Sequence, residues 1–93
     1  MSDLVLNVTR EYFDQIKAGT KKHEYRLDTP YWRKRLVGKV YDRVIMVLGY
    51  PKANDMSRRL FFPYRGYEMK NHTHKHFGAN EVTVFAIPLE QKP

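Results

Sequence analysis

Hydrophobic positions along this chain change rhythm several times, and each change predicts an element. Leu4 to Val8 is a short apolar run suited to a strand. Thr9 then stands where a helix N-cap belongs, with Glu11 in the first turn, where a carboxylate suits the helix dipole. Tyr12, Phe13 and Ile16 follow at helical spacing, and Gly19 closes the segment as a left-handed C-terminal residue. The spacing predicts a helix over residues 10 to 18. Lys21 to Leu27 reads as the next strand. Alternation would put Lys22, Glu24 and Arg26 on one face and Lys21, His23, Tyr25 and Leu27 on the other.

Thr29-Pro30 opens a second helix, with a hydroxyl cap and Pro at the first helical position. Trp32 and Leu36, four apart, pack inward; Arg33, Lys34 and Lys39 are left for the outside, and Gly38 ends the segment. Val40 to Tyr50 is the strongest strand, and its unbroken apolar centre predicts burial on both faces. Lys52 to Met56 is a polar loop. Arg58 to Tyr64 and Tyr67 to His72 are strand material punctuated by Pro63 and Gly66, Asn71 to Asn80 is irregular, and Glu81 to Leu89 is the last strand. About five or six strands and two helices make an α+β domain. So many strands in so short a chain favour a closed or nearly closed sheet, which limits exposed edges. The expected architecture is a small mixed β-barrel with two helices at its rim, one domain over residues 1–93.

Composition narrows the function. The chain has no cysteine, which excludes disulfide scaffolds and thiolate zinc sites. The longest apolar run, Val44 to Leu48, is far too short to span a bilayer, and Met1-Ser2-Asp3 does not open a secretory signal. A soluble cytoplasmic protein without a membrane role is expected. Seventeen basic residues against ten acidic give a formal charge of +7, which favours polyanionic partners such as RNA, DNA or nucleotides. The excess is concentrated: nine basic residues face three acidic ones between Lys17 and Arg43.

That basic region holds the chain's most distinctive stretch, Gly19-Thr20-Lys21-Lys22-His23-Glu24-Tyr25-Arg26, of the form G-x-K-x-x-E-x-R. Lys21 can attract a phosphate or serve as a base if desolvated. Arg26 offers a fork suited to phosphate or a base edge. Glu24 can accept an exocyclic amine, orient Lys21 or act as an acid–base. The plain structural alternative is an internal ion pair that stabilises one end of the barrel. Tyr25, Tyr31, Trp32, Tyr50, Tyr64 and Tyr67 are candidates for base stacking, although most belong to the core; Tyr50, between Gly49 and Pro51, suits a cleft better than Trp32 does. His72, His74 and His76 would share one face of an extended strand. Lys75 among them and the lack of nearby carboxylates favour a surface loop over a metal site. There is no glycine-rich phosphate loop and no G-x-S-x-G.

Gly19, Lys21, Glu24 and Arg26 occupy all four positions of a pattern that resembles the signature of the ASCH domain, a PUA-like β-barrel family associated with RNA. Upstream, Phe13, Ile16, Lys17 and Ala18 are similar to the family's helix before the glycine. Downstream, Tyr31-Trp32, Arg35-Leu36 and Gly49-Tyr50 look like a small branch of bacterial and phage proteins. The resemblance covers about residues 4 to 50. It implies a PUA-like pseudo-barrel with a cleft beside the motif that takes RNA or modified nucleosides. Some members are hydrolases, and others have been described as ribonucleases. One branch deacylates acetylcytidine with a Lys, a Thr nucleophile three residues later and a distant Glu. Here the Lys position is Lys21, but the Thr position is Glu24, so that chemistry does not carry over intact.

The leading expectation is an RNA- or nucleotide-binding module using Lys21, Glu24, Arg26, Tyr50, Tyr25 and Arg33, with single-stranded DNA as a further partner and neither cofactor nor metal. The alternative is a hydrolase on RNA or a modified nucleoside with Lys21 and Glu24 as acid–base pair. A third reading is a protein-interaction domain whose basic face docks an acidic partner.

Overall fold

Most elements are shorter than the apolar runs that announce them. The computed structural model describes residues 2–52, 54–73 and 81–90. In chain order they form β1 (Asp3–Val8), α1 (Arg10–Ala18), β2 (His23–Leu27), α2 (Pro30–Leu36), β3 (Arg43–Leu48), a 3-10 turn (Met56–Arg58), β4 (Arg59–Pro63), β5 (Glu68–His72) and β6 (Val82–Pro88). The predicted strand over Val40 to Tyr50 contracts to its buried centre, since Val40 is 87% and Tyr50 92% exposed. Gly49, at φ +63°, takes the left-handed turn that ends it. The triple-histidine stretch lies largely outside the described residues.

Two α-helices and six strands make this an α+β fold, but the strands pair as two three-stranded sheets, β1-β3-β4 and β2-β6-β5. Among the described residues, no ladder joins one sheet to the other into a closed barrel. β1 and β3 run parallel, with α1, β2 and α2 forming the crossover between them; the remaining pairs are antiparallel. The core fills the space between the sheets. Leu4, Leu6 and Val8 alternate inward from β1, Val44, Met46 and Leu48 from β3, and Phe62 from β4. Phe85 and Ile87 meet them from the other sheet, with Leu89 just beyond it, and Phe13 and Ile16 of α1 and Leu36 of α2 complete the cluster. Fully burying an apolar side chain of this size is worth about 1.5–3 kcal/mol, so Phe13, Phe85, Leu6 and Met46 contribute most per residue.

Both helix ends follow local chemistry. Gly19 sits at φ +84°, and the amides of Gly19 and Thr20 donate to the carbonyls of Ile16 and Gln15. Thr9 has the extended backbone of a cap, but its side chain makes no capping bond. At α2, the Thr29 hydroxyl accepts from the Trp32 amide at 3.3 Å, and Pro30 fills the first turn.

Candidate functional site

In an antiparallel pair, residues directly opposite project to the same face. Glu24 lies opposite Ile87, and Arg26 opposite Phe85, both of which belong to the core. Two charged side chains of β2 therefore point into the space between the sheets. This explains why Glu24 is the buried charged residue among the described ones, at 6% exposure.

Lys21 reaches the same place by another route. The pattern places it with His23 and Tyr25 on the opposite face, but β2 begins only at His23, so strand alternation does not govern it. Instead, the turn after Gly19 wraps the end of α1. The amides of Thr20 and Lys21 and the Thr20 hydroxyl all donate to the Gln15 carbonyl, at 3.0, 3.2 and 3.1 Å. The lysine side chain then runs inward, and its Nζ lies 3.5 Å from Glu24 Oε1. Arg26 Nη2 donates to Glu24 Oε2 at 2.7 Å. One carboxylate thus holds two cations, one on each oxygen. The side chains of Lys21, Glu24 and Arg26 are only 16%, 8% and 19% exposed.

Aromatic rings hem the cations in. Lys21 Nζ stands over the rings of Tyr12, at 5.1 Å, and Tyr25, at 4.9 Å. The Arg26 guanidinium lies 5.0 Å over Trp32. Burial, with the charges of Glu11 and Glu24 adding to it, pushes the Tyr12 phenol above its ordinary pKa. Arg26 Nη2 also donates to the Asn7 carbonyl at 3.0 Å, and the Asn7 side chain donates to the Gly49 carbonyl at 2.7 Å. Asn7 therefore ties the cluster to the turn that carries Tyr50. Arg26 Nε is buried without a hydrogen-bond partner.

Beside the cluster lies a cavity of about 320 Å³, lined by Ile16, Gly19, Lys21, Lys22, Phe62, Leu89 and Glu90. It lies where the end of α1, β4 and the chain after β6 meet, and the Leu89 amide clamps that corner by donating to the Lys22 carbonyl at 2.9 Å. Small-ligand sites occupy about 300–1,000 Å³, so this cavity lies at the small end of that range.

Of the six residues expected to bind ligand, Lys21, Glu24, Arg26 and Tyr25 come together. Arg33 does not: its Nε and Nη2 donate to Asp28 at 2.5 and 2.8 Å, and its own side chain is largely exposed. The Tyr50 ring is almost fully exposed and makes no ring or cation contact among the described residues. Tyr12, Asn7 and Trp32 are the members that the motif does not contain. Tyr12 and Trp32 read as helix core from their spacing, and Asn7 carries no local signal because its partners are 19 and 42 residues away. Among the described residues, no group of three or more His, Asp or Glu side chains is arranged to hold a metal ion. Among the described residues, no helix is long and apolar enough to cross a membrane. No family model matches the chain, and neither does any curated protein or solved structure.

Proposed function

We propose that this chain is an ASCH-type module that binds RNA or a nucleotide through its anionic groups at Lys21 and Arg26. The observation that carries this reading is a charge imbalance. Two cations, each more than four-fifths buried, share one carboxylate, so the cluster keeps a net positive charge out of water. A buried charge without a full counter-charge is costly, and an anionic ligand supplies the missing balance. An internal ion pair serving the fold alone would need only one of the two cations.

Each residue then has a role. Lys21 lines the cavity and meets the phosphate as a point charge. Arg26, fixed by Glu24, Asn7 and Trp32, lies behind the cavity wall rather than on it and adds a second, rigid positive charge to the field at Lys21. Glu24 acts as a positioning residue, because both its oxygens hold cations. A PUA-like pseudo-barrel, with the two sheets as its walls, belongs to the same proposal and is supported by the core between them. Calorimetric titration with uridine monophosphate (UMP) tests the reading. Saturable binding that weakens in Lys21→Met, and that uridine without its phosphate does not reproduce, is expected. Equal binding of UMP by both proteins contradicts it.

The 3.5 Å contact between Lys21 and Glu24 favours one second reading, a hydrolase in which this pair exchanges a proton with substrate. Release of acetate from acetylcytidine, or cleavage of RNA, that disappears in Lys21→Ala would support it; no product with the native protein would remove it.

A further inference from the structure

The cluster does not end at Arg26. Trp32, which carries the Arg26 guanidinium on its ring, meets Tyr31 edge to face at 5.1 Å and 83°. Tyr31 in turn carries the Arg35 guanidinium 4.3 Å over its own ring. A continuous run of cation, ring, ring and cation therefore leads from the buried site onto the outer surface of α2. Tyr31 is 57% exposed.

We propose that this surface is a docking track for a single strand of nucleic acid that extends from the nucleotide held at Lys21 and Arg26. The inference rests on the function proposed above but concerns different residues. Its chemistry is one-sided. Lys34, Arg35 and Lys39 are exposed and form no ion pair among the described residues, whereas nearby Arg33 is taken by Asp28. No acidic residue lies between Pro30 and Lys39. An exposed, unneutralised row of cations suits phosphates. Arg35 does more than add charge: a guanidinium already seated on a tyrosine presents its other face to a base, and bases stack on arginine planes as they do on rings. Seating it beforehand lowers the entropy lost on binding.

The turn beyond α2 is held in place to serve the same surface. Tyr41 donates its hydroxyl to the Arg35 carbonyl, the Val37 amide donates to the Arg33 carbonyl at 2.9 Å, and the Lys39 amide donates to the Leu36 carbonyl at 3.2 Å. This leaves Val37 and Val40 exposed beside Lys39, at 47% and 87%. Apolar groups next to a cation suit a base beside its phosphate better than they suit an acidic peptide.

The test measures fluorescence anisotropy of labelled 12-nucleotide uridine RNA and thymidine DNA strands between 50 and 300 mM salt, using whichever binds tighter. Arg35→Lys keeps the charge and loses the plane, and should weaken strand binding at least about fivefold, the low end of one stacked base. The double variant Lys34→Gln, Lys39→Gln should flatten the log–log salt dependence by about 1.4, at about 0.7 per phosphate contact on a single strand. Both should leave UMP binding unchanged, which separates the track from the pocket. Strand binding that responds to these variants while UMP does not bind at all would keep the track and remove the pocket. Unchanged strand affinity in both variants, no strand binding by the native protein at 50 mM salt, or tighter binding of a 12-residue polyglutamate would each overturn the track.

Discussion

Glu24 and Asp28 lie four residues apart on the same stretch of chain, and they hold guanidinium groups in opposite ways. Asp28 takes Arg33 alone, through two hydrogen bonds; the guanidinium stays largely in water although the carboxylate is mostly covered, and charge balances within the pair. Asp3 and Arg43 repeat that arrangement across β1 and β3. Glu24 is buried and divides its two oxygens between Lys21 and Arg26, leaving one positive charge over. Balanced pairs whose guanidinium stays in water contribute little to stability. A buried, unbalanced cluster is expensive to build. Under the function proposed above, an anionic ligand offsets that cost.

The largest effect should come from the shared carboxylate. Glu24→Gln leaves two mostly buried cations without a counter-ion and should cost about 3 kcal/mol or more of unfolding free energy, measured by urea denaturation. A loss as small as that of Asp28→Asn would erase the contrast. Next comes Lys21→Met, which leaves Glu24 and Arg26 as a balanced pair. Stability should fall by no more than about 1 kcal/mol, while UMP affinity drops at least about tenfold, the value of one lost charge-assisted contact. Thr29→Ala should cost about 1 kcal/mol by uncapping α2, the helix that seats Trp32 against Arg26.

The smallest effect belongs to the balanced pairs, and pH reveals it. Arg33 beside Asp28, and Arg43 beside Asp3, hold each carboxyl below the usual aspartate range, against the opposing pull of burial. A carboxyl depressed in the folded state adds stability that is present above its unfolded pKa, about 3.9. That stability is lost as pH falls through the lower folded value. Thermal midpoints of the native protein should therefore decline below about pH 4, and the double variant Asp3→Asn, Asp28→Asn should decline less steeply. Identical acid profiles would show that these pairs do not hold the fold.

The sequence is most readable where the physics is local. The helix over residues 10 to 18, the Gly19 turn and the Thr29-Pro30 start all depend on neighbours within a few residues, and all stand where periodicity and capping place them. The convergence of Lys21, Glu24 and Arg26 was legible only in part. Alternation puts Glu24 and Arg26 on one face, but Lys21 joins them because a helix end redirects it, which strand periodicity does not capture. The parallel pairing of β1 with β3 and the bridge from Arg26 through Asn7 to Gly49 rest on contacts between distant segments, where spacing carries no information. Arg33 stands apart from the cluster, and spacing does not show this, because a basic residue beside a motif looks the same in sequence whether or not an aspartate already holds it.

The most direct measurement is a side-by-side calorimetric titration of the native protein and Lys21→Met with UMP at 50 mM salt. The account predicts one saturable site in the native protein and at least a tenfold weaker one in the variant, whose fold survives. Native protein that takes up no nucleotide, or a variant that binds as well as the native, would contradict the claim that the excess charge at Glu24 is there for a ligand.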